Sequence, residues 1–228
     1  MNPTASSRLS IRVNTSVLAG LEKRLLIWIA ERLPRSVNSD HLTALGTLAM
    51  LAIGGCFWIG GYWRPTLGAV APCLALNWFG DSLDGTLARV RRTERPHYGY
   101  YVDHVLDAIG CAALVAGMLL GGHLSPAIGL TFLCAYYLLV IEVALAAHAR
   151  GTFRLSFWHV GPTELRILLA AGSLALLRSP TVTIFGSTWL LFDVGAVCAI
   201  AGLLLTFAVA AYSSARALYR QEPLPART

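Results

Sequence analysis

The sequence predicts an all-α integral membrane protein of six transmembrane helices, preceded by an N-terminal amphipathic helix at the membrane interface. Three observations predict it. Of the 228 residues, 56% are hydrophobic and 13% charged, and mean hydropathy is +0.60, which leaves too few charges to coat water-facing helices. The apolar residues gather into about six runs long enough to cross a hydrocarbon core of roughly 30 Å, which takes about 20 residues per helix. The 18 Lys and Arg residues sit at the ends of those runs. That is a topology pattern and not a solvated basic face, so the net charge of +6 does not indicate nucleic acid.

Residues 1–16 are polar and lack the apolar stretch and cleavage site of a secretory signal. Over 17–34, Val17, Leu18, Leu21, Leu25, Trp28, Ile29 and Leu33 recur at roughly helical spacing against Glu22, Lys23, Arg24, Glu31 and Arg32, the pattern of an amphipathic juxtamembrane helix. Residues 34–38 break it. The membrane domain then occupies 35–215, with spans near 41–63, 66–88, 99–122, 125–148, 159–177 and 187–213, and 216–228 forms a cytoplasmic tail. With both termini on one side, only Arg64 and Arg178 of the Lys and Arg residues fall on the other. The positive-inside rule therefore puts both termini and the loop around Arg92 in the cytoplasm, and the chain in the inner (plasma) membrane if it is bacterial. Cys56, Cys73, Cys111, Cys134 and Cys198 lie apart within apolar segments, without zinc spacing, and read as small hydrophobes.

Chemistry concentrates where the second span ends and the third begins. Asp81, Asp84, Gly85, Ala88 and Arg89 share one helical stripe, and Gly99, Asp103 and Asp107 share another. A short connection makes the two helices antiparallel neighbours, so the stripes face each other. An ionised Asp costs about 2.5–3.5 kcal/mol at the centre of an inserted helix and less near the interface, so four together need compensation. An all-oxygen donor set suits a hard cation such as magnesium, and four carboxylates have capacity for two ions about 3.5–4 Å apart. Gly85 and Gly99 leave room for a substrate against the backbone, and the planar fork of Arg89 suits phosphate.

Asp81-x2-Asp84-Gly85-x2-Ala88-Arg89 followed by Gly99-x3-Asp103-x3-Asp107 resembles the signature of the CDP-alcohol phosphotransferases. The usual spacer between the Arg and the second Gly is eight residues, and here Val90 to Tyr98 make nine. The resemblance implies transfer of a substituted phosphate from a CDP-linked donor to a hydroxyl acceptor with release of CMP, in a homodimeric membrane enzyme of lipid synthesis. It implies Asp81, Asp84, Asp103 and Asp107 as ligands of magnesium or manganese, with Asp107 also the base, and Gly85, Arg89 and Gly99 near the CDP group. Asn38 and Thr43 resemble a nucleotide-contacting stretch in which Asn here replaces Pro and Ser replaces Asn. The donor reads as CDP-diacylglycerol; the alternative is CDP-choline or CDP-ethanolamine type transfer to diacylglycerol.

Two other readings of the Asp cluster compete: an ion-pair network with Arg89, Arg91, Arg92 and Arg95, and a cation or proton pathway of a transporter. The spacing and the glycines argue against the first, and the clustering at one membrane face against the second. Candidates for the acceptor are Glu142 in the fourth span, Arg150 and Arg154 in the loop after it, and Glu164 and Arg166 at the start of the fifth. Against these stand structural roles: a hydrogen-bonded buried Glu at Glu142, and a helix N-terminus with headgroup contact at Glu164 and Arg166. Asp193 reads as structural, and His104 as a local cap.

Overall fold

A computed structural model describes residues 19–150 and 162–222. The chain runs α1 (Ala19–Arg32), α2 (Ser39–Gly60), a 3-10 turn (Arg64–Ala69), α3 (Val70–Arg91), α4 (Pro96–Leu120), α5 (Pro126–Arg150), α6 (Pro162–Leu176), β1 (Thr181–Ile184), β2 (Ser187–Leu190) and α7 (Leu191–Gln221). Among the described residues, α2, α4, α5 and α7 are long and apolar enough to cross a membrane. α3 carries Asp81, Asp84, Arg89 and Arg91 in its second half, and α6 has 15 residues; neither meets that standard.

Local chemistry sets the helix ends. The Asn38 side chain accepts the His41 N–H at 2.9 Å and His41 Nδ1 accepts the Asn38 N–H in return at 3.4 Å, capping α2. α3 closes in a Schellman motif, Thr93 N–H to Ala88 O at 2.9 Å and Arg92 N–H to Arg89 O at 3.2 Å, with Arg92 at φ 54°. Pro96 starts α4, where its missing N–H is no loss. Buried Asp193 at the start of α7 accepts from Ser125 N–H at 2.7 Å and Ser125 Oγ at 2.5 Å, fixing the start of α5. This is the structural role expected for it.

α2 is the spine. It packs on α3 and on α4, while α3 and α4 make little contact with each other. This corrects the expectation of two adjacent helices: the short connection brings their ends together, but α2 lies between their bodies. Close approach is possible because glycines meet backbone. A methyl on Gly80 would lie 2.5 Å from Leu42 O and Gly46 N, and one on Gly117 would lie 2.0 Å from Gly54 O. Lipid tails are as apolar as the side chains, so such small-residue packing holds membrane helices together. One apolar core, including Ile53, Phe57, Leu74 and Val115, fills this junction, and a second joins α1, α2 and α3 through Leu26, Ala30, Leu42, Leu83 and Leu87.

Other boundaries move. The second span starts as a 3-10 turn before α3, with Pro65 at its start and Pro72 in the first turn of α3, where a missing N–H is tolerated. The run expected to enter a helix at residue 187 first forms β2, antiparallel to β1, so the chain is not wholly α. Thr181-Val182-Thr183-Ile184 is β-branched throughout and suits a strand. Phe185 and Gly186, both at positive φ, make the two-residue turn. α7 continues through Gln221, so a tail boundary at 216 falls inside the helix.

Candidate active site

Asp84 is the fixed point of the carboxylate group. It is 9% exposed, and Leu83 and Leu87 beside it anchor α3 in the second core. One of its oxygens accepts the Thr43 hydroxyl of α2 at 2.7 Å, and the other accepts the Gly85 N–H. Ser39 Oγ donates to the Asp84 carbonyl at 3.0 Å. The N-terminal turn of α2 is thus tied to the carboxylate stripe of α3. Asp84 also feels the like charges of Asp103 and Asp81, which brings three of the four signature carboxylates into one electrostatic neighbourhood. A buried carboxylate among like charges is costly without positive charge beside it.

Asp81, one turn earlier, is ion-paired with Arg166 of α6, whose Nε also donates to Asn77 Oδ1 at 2.8 Å. Asn77 in turn donates to Gly46 O at 3.0 Å. Asp103 is half-buried on α4 and Asp107, one turn further on, is exposed. Asp107 acts electrostatically on Cys111 of its own helix and on Tyr136 of α5. Among the described residues, no three acidic, His or Cys side chains are gathered tightly around one point; Asp81 here turns to α6. The donor set is all oxygen and drawn from two helices, which fits a hard divalent cation.

The glycines divide into two kinds. Gly46, Gly54, Gly80 and Gly117 are demanded by helix contact, as above. At Gly99 an added methyl meets nothing within 4 Å, and at Gly85 only the Arg89 guanidinium, 3.4 Å away. Protein packing therefore gives no reason for glycine at 85 or 99. Arg89 is exposed, folds back over Gly85 and donates to Thr86 Oγ1 at 3.0 Å.

The remaining candidates separate. Thr43 joins the site through Asp84, whereas Asn38 caps α2 and bonds locally. Glu142 of α5 accepts Ser214 Oγ of α7 at 2.8 Å, tying those helices together. Glu164 is half-buried in the first turn of α6, two residues before Arg166 and on a different face of the helix. Arg154 lies outside the described residues, as does the side chain of Arg150. His104 Nδ1 bonds Tyr100 O at 2.8 Å, the local role expected.

Among the described residues, Arg91 and Arg95 are engaged away from the Asp group. Arg91 donates to the carbonyls of Val37, Leu33 and Pro34, the latter two at 2.9 Å, and clamps the α1–α2 turn. Arg95 pairs with Asp40. Sequence reasoning also missed Glu22, placed on the polar face of α1. It faces inward, accepting Trp78 Nε1 at 2.7 Å and Thr163 Oγ1 at 3.1 Å. A carboxylate four residues from buried Leu26, on the same face of the helix, was the available signal.

Three comparisons bear on this site. The sequence profile described as CDP-alcohol phosphatidyltransferase matches residues 37–212. An archaetidylinositol phosphate synthase of Methanothermobacter thermautotrophicus is 30% identical over 153 residues, covering 67% of this chain and 73% of that protein. The crystal structure of a Mycobacterium tuberculosis phosphatidylinositol phosphate synthase with CDP-DAG bound superposes with a TM-score of 0.62 at 23% identity. That alignment covers 84% of this chain and 94% of the other, and at this identity it speaks to the fold.

Proposed function

The chain belongs to the CDP-alcohol phosphatidyltransferase family, and from that premise we propose that it transfers a phosphatidyl group from CDP-diacylglycerol to the hydroxyl of a phosphorylated polyol, releasing CMP. It is an integral membrane transferase of phospholipid synthesis, and membership sets the transporter reading aside. The observation that carries the site is buried Asp84, held by Thr43 and within electrostatic reach of Asp103. The archaetidylinositol phosphate synthase relative favours inositol phosphate as the acceptor. A cationic Arg166 beside Asp81 supports an anionic one in general.

Asp81, Asp84, Asp103 and Asp107 would hold magnesium or manganese, as one ion or two, which when bound neutralises the diphosphate and polarises its phosphorus. Thr43 and the Gly85 N–H fix the rotamer of Asp84 so that its oxygens stay oriented. Gly85 and Gly99 admit the CDP group to the backbone, and the exposed Arg89 guanidinium swings from Thr86 to a phosphate. Asp107 accepts the proton as the acceptor oxygen forms its bond to phosphorus and the bond to CMP breaks. Arg166, with Glu164 nearby, receives the acceptor's phosphate. Glu142 and Asn38, given their partners, act on helix packing.

The decisive experiment incubates purified protein with radiolabelled CDP-diacylglycerol and a panel of acceptors, followed by lipid chromatography. Labelled lipid with inositol phosphate supports the reading. Transfer only from CDP-choline or CDP-ethanolamine to diacylglycerol overturns it in favour of the alternative. We further propose a homodimer with both termini in the cytoplasm and α3 and α6 crossing the membrane with the other four. Cysteine at Arg92 should then react with impermeant thiol reagents only from that side.

A further inference from the structure

α1 and α6 both pack on α3, and one side chain joins all three. Glu22 of α1 accepts Trp78 Nε1 at 2.7 Å and Ser82 Oγ at 3.5 Å from α3. It also accepts Thr163 Oγ1 of α6, at 3.1 and 3.3 Å from its two oxygens. Trp78 and Ser82 are four apart, as are Asn77 and Asp81, so the two pairs form neighbouring stripes along α3. On α6, Thr163 and Arg166 are three apart and share a face. Two clamps therefore lie side by side: Glu22 joins Thr163 to Trp78 and Ser82, and Arg166 joins α6 to Asn77 and Asp81.

We infer that Glu22 is a positioning residue: it fixes the first turn of α6 on α3 and so sets where the Arg166 guanidinium meets Asp81 and the acceptor. This deepens the proposed function and rests on it for its catalytic consequence. A carboxylate receives three donors from two helices more strongly than a neutral oxygen does, because the acceptor is charged. Its removal leaves the Arg166 clamp to Asn77 and Asp81 to hold this end of α6 on α3. α1 is then part of the site's scaffold as well as a surface element.

The test compares Glu22→Ala and Glu22→Gln with the parent full-length protein in detergent, by amide hydrogen exchange and by CMP-releasing turnover at varied donor and acceptor. In Glu22→Ala, exchange over residues 162–170 should accelerate roughly tenfold, as expected for loss of a hydrogen bond to a charged acceptor, while α2 and α4 keep their protection. The KM for acceptor should rise while that for donor holds. Glu22→Gln, which keeps an oxygen for Trp78 and Thr163, should recover most of both. Unchanged exchange in α6, acceleration spread evenly over every helix, or a glutamine variant as impaired as alanine overturns the inference. Should the parent show no CDP-dependent turnover, the proposed function fails, and the exchange measurement still decides the positioning role.

Discussion

Gly80→Ala tests whether the α2–α3 contact sets the site. A methyl at Gly80 would sit 2.5 Å from Leu42 O and from Gly46 N, both backbone atoms that no rotamer change can move. Ordinary contact begins near 3.4 Å, so the helices must part by about 0.9 Å at that level. Asp84 is one turn along, and its bond from Thr43 is 2.7 Å. If most of the opening reaches it, the bond stretches past 3.5 Å and is lost. Overpacking of this kind costs about 1–3 kcal/mol, and misplacement of a reacting group by about 1 Å costs roughly 10²-fold in rate. Thermal unfolding in detergent, followed by fluorescence or size exclusion, and CMP-release kinetics should both register the change. Gly99→Ala is the counterpart: nothing lies within 4 Å of the added methyl, so the unfolding temperature should hold while donor affinity falls. Parent-like stability and turnover in Gly80→Ala would refute the reasoning.

Further outcomes separate the remaining roles. Excess EDTA should abolish turnover and magnesium should restore it. Asp107→Asn should then lower turnover by roughly 10²–10⁴-fold with donor binding kept, whereas Asp81→Asn should weaken magnesium-dependent donor binding as well; equal collapse of donor binding in both would make Asp107 chiefly a ligand. Arg91→Ala removes a donor shared by three carbonyls of the α1–α2 turn and should destabilise the protein by about 1.5–3 kcal/mol, read as a lowered unfolding temperature that Lys restores only in part. His123, in the α4–α5 turn, is buried with Nε2 bonded to Phe57 O at 3.1 Å. Burial, aided by Arg64, pulls its pKa below the ordinary 6.5. The unfolded chain therefore binds the proton first, and stability should fall as pH drops below about 6.5; His123→Phe should flatten that part of the profile.

The signature carboxylates were legible because membrane insertion makes an ionised residue conspicuous, and fixed i, i+3 and i+4 spacing put them on common stripes. Thr43 was legible for a different reason, as part of a weak motif, yet its partner Asp84 could not be read from sequence because 41 residues separate them. The role of α2 was hidden. Gly46 and Gly54 look like ordinary small residues in an apolar run, and only the backbone atoms opposite them disclose that two helices rest there. Hydropathy likewise failed at β2, where uncharged Ser187-Thr188-Trp189-Leu190 satisfies a helix search and pairing with β1 makes it a strand. Glu22 was misread because amphipathic bookkeeping sends every carboxylate outward. Its face is decided by Trp78, Ser82 and Thr163, which no local window contains.

The glycine seats along α2 bear on which length changes the chain can accept. Each residue added to a helix turns everything beyond it by about 100°. One residue inserted in α2 between Gly46 and Gly54 would swing the Gly54 seat away from Gly117, or Thr43 away from Asp84. An insertion after the Schellman turn at Arg92 rotates nothing already seated, since the exposed connection to Pro96 absorbs it before α4 begins. The spacer between Arg89 and Gly99 contains this connection. Lineages of this fold should therefore drift in length at the α3–α4 connection and stay frozen in length across α2.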